Sequence, residues 1–270
     1  MTKIDKSFSD IGYMDTLSSG DTFLHRLDPR AKLITTLIYI VMVISYDKYS
    51  VSALIPFFIY PLVQISLGDL SVKYILKKVL LVSPFAVFIG IFNPLLDRDI
   101  LFQIWNINIS GGWISFFSIM LRFVLTVSSC LILIALTGFN GVCTAIGKLG
   151  VPKVFVVQLL FLYRYIFVLT DQSVRMVRAK SLRSFNSNTM DFKTFVSLVG
   201  HLLLRTMDRA QRIYLAMCCR GFDGYVPMIR PLKMGYREIG FTLGWSVLFI
   251  LLRYFNLPLN LGLIITGFFS

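Results

Sequence analysis

Two stretches of the chain place an arginine in the same short pattern. The pattern Ala-x-x-x-Arg-small-Phe covers residues 179–185 and occurs again at residues 216–222. An alanine four residues before an arginine lies one helical turn below it on the same face. Such a helix end can enter a groove while the guanidinium binds a carboxylate or carbonyl oxygen, and the small residue is expected to end the helix. The two copies predict docking to a partner with two equivalent grooves, through Ala179, Arg183, Ser184, Ala216, Arg220 and Gly221.

The second copy closes a basic helical stretch, in which apolar residues recur at helical spacing over residues 195–217. One narrow stripe of this helix is formed by residues at intervals of four, three, four and four, namely Arg205, Arg209, Arg212, Ala216 and Arg220. The alternative interpretation is an amphipathic helix lying on anionic lipid. The repeated arginine pattern favours docking to a partner.

Residue types that carry catalysis or bind metal are sparse. His25 and His201 are the only histidines, and no pair of Cys, His, Asp or Glu has ligand spacing on one helical face. The phosphate-binding pattern GxxxxGK[ST] does not occur. We therefore predict a non-catalytic protein with no cofactor or metal site of its own. The cysteines are expected to be reduced structural thiols, namely Cys130, Cys143, Cys218 and Cys219.

The composition indicates a membrane protein. Of 270 residues, 56% are hydrophobic and only 15% are charged, and the mean hydropathy is +0.74. A soluble domain of this size is far less apolar. The net charge of +13 comes from lysines and arginines in the segments between apolar runs. Cations at the inner membrane surface explain this charge better than nucleic-acid binding does.

Crossing a bilayer takes about 20 apolar residues. The predicted spans are residues 33–46, 51–67, 79–96, 113–137 and 239–255. The apolar tail at 259–269 is too short to cross unaided and is expected at the interface. Asp28 and Pro29 are predicted to cap and begin the first helix. Arg122 and Arg253, near span ends, are expected to extend to the membrane surface.

The distribution of cations predicts the orientation. The N-terminus and residues 138–237 are placed inside, and residues 47–50 and 97–111 outside, because short inner loops carry the excess of Lys and Arg. Residues 154–170 are nearly long enough to span. A crossing there would move twelve cations of residues 171–237 outside, so we predict a helix at the membrane surface or buried in protein.

Five segments together resemble a known family. They are LHRLDPRAKL at residues 24–33, LGVP at 149–152, LYRY at 162–165, and the two arginine patterns, the second ending in RGFDG at 220–224. In this order, which covers nearly the whole chain, they resemble the T component of energy-coupling-factor (ECF) transporters, most closely the cobalt-type family CbiQ.

The resemblance implies partners as well as a fold. In that family the two motifs are Ala-Arg-Gly-like triplets at the ends of cytoplasmic coupling helices, which dock into two ATP-binding cassette ATPase subunits. Here the triplets at 182–184 and 219–221 read Leu-Arg-Ser and Cys-Arg-Gly, so the arginine is kept and the preceding alanine is replaced. The ATPase subunits would bind ATP and Mg. A cobalt-type substrate-binding membrane subunit (the S component) and a small accessory membrane subunit are the further implied partners.

We therefore expect an all-α integral membrane protein, with a bundle of about five transmembrane helices and a cytoplasmic module of amphipathic coupling helices. The expected domains are residues 1–137, 138–237 and 238–270. It would be a multi-pass protein of a bacterial or archaeal cytoplasmic membrane, serving uptake of a transition metal ion, cobalt before nickel.

Three alternatives stay open. A T component of a vitamin-type ECF transporter would share the same motifs. A membrane-embedded lipid-modifying enzyme would need a cluster of carboxylates, a His/Cys pair or a metal site at the membrane face. A secondary transporter would carry inverted repeats and polar residues at mid-membrane.

Overall fold

The computed structural model describes residues 14–47, 51–96, 100–104, 107–183, 191–224 and 234–255. In chain order the elements are α1 Phe23–Arg26, α2 Pro29–Ile44, α3 Val51–Leu54, a 3-10 helix Ile55–Phe58, α4 Ile59–Leu67, α5 Val72–Gly90, α6 Phe92–Leu96, β1 Ile100–Ile104, β2 Ile107–Ser110, α7 Gly111–Lys148, α8 Lys153–Arg183, α9 Phe192–Cys218 and α10 Tyr236–Phe255. The predicted all-α membrane class is confirmed. A small addition is the antiparallel pair β1–β2, within the loop predicted at 97–111.

The chain forms two compact units. The first, called the bundle unit, comprises residues 14–142 and 232–270, and the second, called the arm unit, comprises residues 1–13 and 143–231. In the arm unit the described residues are 143–183 and 191–224. The functional division predicted at 137/138 and 237/238 stays a prediction.

Among the residues that the structure describes, three helices are long and apolar enough to cross a membrane: Val72–Pro94, Gly111–Lys148 and Lys153–Arg183. The first begins seven residues before the predicted span at 79, since lysine is a good helix former and extends the helix into its polar flank. Val51–Leu67 is a shorter apolar helix, and a 3-10 turn containing Pro56 interrupts it. The residues predicted as spans at 33–46 and 239–255 form most of α2 and α10, but neither helix is among these three, so their crossing stays a prediction. The tail at 259–269 lies outside the described residues.

An aromatic cluster joins α2 to α10 in the bundle unit. The rings of Tyr39 and Tyr60 stack with centroids 4.5 Å apart, and Phe249 of α10 lies 5.3 Å from Tyr39. The buried hydroxyl of Tyr39 donates to the carbonyl oxygen of Phe57 at 3.0 Å, so its burial leaves no polar group unsatisfied. Four residues after Phe249, Arg253 donates to the carbonyl oxygen of Ser45 at 3.4 Å. The two helices therefore run parallel, with their C-terminal ends together.

The two arginines expected near span ends both bind backbone at the end of α2. Arg122 donates to the carbonyl oxygen of Asp47, and Arg253 also lies over the ring of Tyr46, 5.1 Å from its centroid. Helix C-terminal carbonyls lack partners within the helix and favour nearby positive charge. These contacts explain why two cations are kept at this end of an apolar bundle.

The start of α2 is fastened to the interior of α7. Asp28 is the N-cap of α2, as predicted, and its Oδ1 accepts from the backbone N–H of Arg30 at 2.9 Å. One turn later the buried Lys32 donates through Nζ to the carbonyl oxygen of Leu136 at 2.9 Å. Gly138, with φ of 69° and ψ of 157°, breaks α7 two residues further on. The break leaves nearby carbonyl oxygens without a backbone N–H donor from the next helical turn. Lys32 instead donates a hydrogen bond to one of them, the carbonyl oxygen of Leu136.

Replacing Lys32 tests this contact. Lys32→Met keeps an unbranched side chain but removes the charge-assisted hydrogen bond, so the Leu136 carbonyl is left buried and unpaired. We expect a loss of about 2 kcal/mol of stability, seen as a lower melting temperature of the purified chain in mild detergent. Lys77→Met, which removes an exposed lysine of α5, is the matched control and should change little. Equal melting temperatures for the two variants would contradict the role of Lys32.

Candidate functional site

The first arginine pattern lies at the C-terminal end of α8. Arg183 is the last residue of this 31-residue helix, and Ala179 lies one turn before it. Both residues are exposed, so this face of the helix end is open. Lys180 and Arg183 form the basic last turn, where positive charge is favourable beside the helix dipole. Ser184, the third predicted residue of this copy, lies outside the described residues.

The second pattern ends α9 in a complete Schellman motif. Gly221 has φ of 77°, a left-handed conformation that favours glycine. Its N–H donates to the carbonyl oxygen of Cys218 at 3.0 Å, and the N–H of Phe222 donates to that of Met217 at 3.1 Å. These are the two hydrogen bonds that define the motif. The predicted helix end at Gly221 is confirmed, and it presents Arg220 at the end of the helix.

The arginines of the two patterns make no side-chain contact of their own in the part of the chain that the structure describes. Arg183 and Arg220 are exposed, and within those residues neither forms an ion pair or a hydrogen bond through its guanidinium. Ala216 is also exposed, one turn before Arg220. A guanidinium with five free donors at a rigid helix end is well suited to bind a carboxylate or a row of carbonyl oxygens. The geometry thus fits docking, while the role of these residues stays a prediction.

Within the described residues, α9 is covered only in part. None of its 27 residues is buried, although one of its faces is apolar. Phe195 is 49% exposed, Leu203 59% and Met207 58%, and Tyr214 is 60% exposed. Exposed apolar surface of this extent marks a contact with protein or lipid.

Sequence reasoning missed Gln172 of α8. This residue precedes Ala179 by seven positions, so it lies on the same face of the helix as the docking pattern. It lines a groove together with Arg205, Arg209 and Arg212 of the predicted stripe. A single amide in the polar half of a long helix gives no periodic signal, which is why the pattern did not reveal it.

His25 has a structural role in the turn before α2. Its Nε2 lies 3.0 Å from the carbonyl oxygen of Leu17, and its Nδ1 lies 2.6 Å from Thr22 Oγ1. A carbonyl oxygen can only accept, so Nε2 carries the proton and Nδ1 accepts from the Thr22 hydroxyl. Burial lowers the pKa of His25, chiefly by desolvation, and keeps the ring neutral at pH 7. Both ring nitrogens are therefore occupied by hydrogen bonds within the chain.

Segments distant in sequence meet at one end of the bundle unit. Asp21 and Arg26, whose side chains lie 3.7 Å apart, line a cavity with Arg237 and Glu238 from the start of α10. A Cβ on Gly138 would lie only 2.8 Å from Ser18 Oγ, so the break in α7 lies at the same end. The residues before α2, the break in α7 at Gly138 and the start of α10 therefore lie together at this end.

Comparison with known proteins adds a family. Residues 20–230 match the family described as Cobalt transport protein, CbiQ. An energy-coupling factor transporter transmembrane protein, EcfT, of Streptococcus thermophilus is 28% identical over 222 residues, which cover 76% of this chain and 83% of the relative. The EcfT of Leuconostoc gelidum is 24% identical over 254 residues, with 87% of this chain and 94% of the relative covered.

An archaeal protein is similar to the same degree. An uncharacterized protein of Methanocaldococcus jannaschii is 29% identical over 243 residues, covering 86% of this chain and 82% of the relative. The likeness thus extends over nearly the full length of bacterial and archaeal relatives.

Metal binding by the isolated chain can be tested directly. Because both nitrogens of His25 are engaged and His201 lies exposed on α9, we expect no submicromolar binding of cobalt or nickel. Isothermal titration calorimetry on the detergent-purified chain measures this. Tight binding that disappears in His25→Gln or His201→Gln would contradict the prediction.

Proposed function

Because the chain belongs to the CbiQ family of cobalt transport proteins, the membrane T components of ECF transporters, we propose that it couples two ATPase subunits to a separate substrate-binding membrane subunit. It is a multi-pass membrane protein and a coupling component. The transported substrate in this proposal is a transition metal ion, cobalt before nickel. ATP and Mg are bound by the ATPase subunits and not by this chain.

The observation that carries the proposal is the pair of exposed helix ends. Arg183 and Arg220 each stand at the C-terminal end of a long helix, one turn after an exposed alanine, with no ion pair in the described residues. Each end offers a narrow apolar surface followed by a fixed cation, which suits a groove containing a carboxylate or carbonyl oxygens. Two ends match two ATPase subunits.

The helices can transmit movement because they are long and continuous. At 1.5 Å per residue, α8 spans about 46 Å and α9 about 40 Å. When the ATPase subunits close on ATP, a displacement of their grooves would move both helix ends together. The movement would pass along each helix, since helices deform little along their axes, and would tilt or release the substrate-binding subunit.

The gathered inner segments support a cytoplasmic N-terminus. The end of the bundle unit that contains Ser18, Gly138 and Arg237 also includes Arg26 and the buried Lys32. By the positive-inside rule, the end that collects the cations faces the cytoplasm. We infer that Ser18, Gly138 and Arg237 therefore lie on the cytoplasmic side.

The same proposed orientation limits how α8 can lie. Because the chain leaves this end after Gly138 and returns to it at Arg237, the residues between them cross the membrane an even number of times. A crossing by α8 would require a second crossing, and α9 carries Arg205, Arg209 and Arg212 in its middle. Such charges are costly at the centre of a bilayer. Although α8 is long and apolar enough to span, we infer that it does not cross.

A second candidate concerns the substrate only. The bacterial relatives reported above are named EcfT, and their names specify no metal. A T component that serves a vitamin-type substrate subunit is therefore the alternative. Purification of the complex in mild detergent, followed by identification of the substrate subunit and uptake assays with radioactive cobalt, distinguishes the two.

Replacing the docking arginines tests the coupling function. Arg183→Ala and Arg220→Ala should each weaken assembly by roughly 2 to 5 kcal/mol, because a partner's polar group is left buried and unpaired. We expect less ATPase subunit to co-purify with either single variant, and least with the double variant. Expression and membrane insertion should be unchanged.

Arg178→Ala is the matched control for these variants. It removes the same charge from an exposed position of α8 five residues earlier, on a different face. It should leave co-purification unchanged. If the control behaves like Arg183→Ala, or if the ATPase subunits co-purify fully with the double variant, the coupling proposal is wrong.

Orientation is tested by cysteine labelling in intact cells. In a variant without the native cysteines, Lys193→Cys should resist an impermeant thiol reagent until the membrane is opened, because α9 is proposed to be cytoplasmic. Lys48→Cys, in a predicted outer loop, is the positive control and should react at once. Efficient external labelling of position 193 would overturn the orientation.

A further inference from the structure

A basic groove lies between α8 and α9 in the arm unit. Arg205, Arg209 and Arg212 of α9 line it together with Gln172 of α8, and its volume is about 470 Å³. Within the described residues none of these guanidinium groups forms an ion pair. The only acidic residue of α9, Asp208, does not line the groove. Three uncompensated cations in one groove are complementary to an anion such as a phosphate group.

An apolar cavity adjoins this groove and shares Arg209 and Ile213 with it. Its volume is about 260 Å³. The remaining lining comes almost wholly from apolar side chains of both helices, namely Tyr165, Val168, Leu169, Thr206, Met207 and Ala210. A free phosphate would leave this cavity empty. A ligand that fills both spaces must have an anionic part joined to a hydrocarbon part.

We propose that the groove and the cavity together bind one anionic phospholipid. The phosphate binds Arg205, Arg209 and Arg212, and part of an acyl chain fills the apolar cavity. Bound in this way, the lipid bridges α8 and α9. The inference uses the membrane location of the family. Ala216, which precedes Arg220 in the second arginine pattern, also lines the groove, so the lipid would lie beside the proposed ATPase contact.

The test uses the full-length chain in neutral detergent and counts bound lipid by native mass spectrometry. The probes are phosphatidylglycerol, phosphatidylcholine and inorganic phosphate. We expect phosphatidylglycerol to bind most tightly. Arg209→Gln with Arg212→Gln should weaken it by roughly thirtyfold, since each cation near a lipid phosphate contributes about a factor of five. The control, Arg178→Gln with Lys193→Gln, removes the same charge outside the groove and should change it less than twofold.

A second variant tests the hydrocarbon part without changing charge. Ala210 lines the apolar cavity and is exposed, so Ala210→Trp can fill the cavity without disturbing a core. It should weaken phosphatidylglycerol binding about tenfold, because a short stretch of the acyl chain is no longer buried. Any binding of inorganic phosphate should be unchanged.

Three outcomes would overturn the proposal. If the control variant weakens phosphatidylglycerol binding as much as Arg209→Gln with Arg212→Gln does, net charge and not the groove is responsible for binding. Inorganic phosphate that binds as tightly as phosphatidylglycerol, with no effect of Ala210→Trp, would assign the groove to a free anion. If Arg209→Gln with Arg212→Gln loses a protein that co-purifies with the native chain but still binds phosphatidylglycerol, the groove is a protein interface.

Discussion

The contact between the Lys32 ammonium and the Leu136 carbonyl is the interaction on which the arrangement of the bundle unit depends. Breaking α7 at Gly138 lets the chain leave the bundle, but it strands carbonyls in an environment without water. Lys32 satisfies one of them, and it can do so only because Asp28 starts α2 at the right place. The start of α2 and the break in α7 are thus joined by one hydrogen bond.

The protein uses its cations in two opposite ways. In the bundle unit, three cations donate hydrogen bonds to backbone carbonyl oxygens at or near helix ends, namely Lys32, Arg122 and Arg253. In the arm unit, Arg183 and Arg220 stand at helix ends with no ion pair in the described residues. A cation that is already satisfied stabilises a fold, whereas one presented on a rigid helix end is available to a partner. A cation of the bundle unit therefore differs from a cation of the candidate site in what it binds, since the first already donates to a carbonyl oxygen of the chain.

Local signals predicted local features well. Asp28 before Pro29 predicted the cap of α2, and the small residue after Arg220 predicted the end of α9, because caps depend on neighbouring backbone groups alone. Helix starts were predicted less well, as in α5, which extends back to Val72 through its lysines. Hydropathy marks where apolar residues are, and the helix follows backbone hydrogen bonding, so the two boundaries differ.

The sequence by itself determined the membrane class, the identity of the apolar runs and the two arginine patterns, since these depend on composition and on spacing along one helix. Only the tertiary structure brought Ser18, Lys32, Gly138 and Arg237 to one end of the bundle, because these contacts join residues about a hundred or more positions apart. It also placed Gln172 beside the arginine stripe of α9. Helical periodicity assigns a residue to a face of its own helix, and only packing decides which side chains of another helix that face meets.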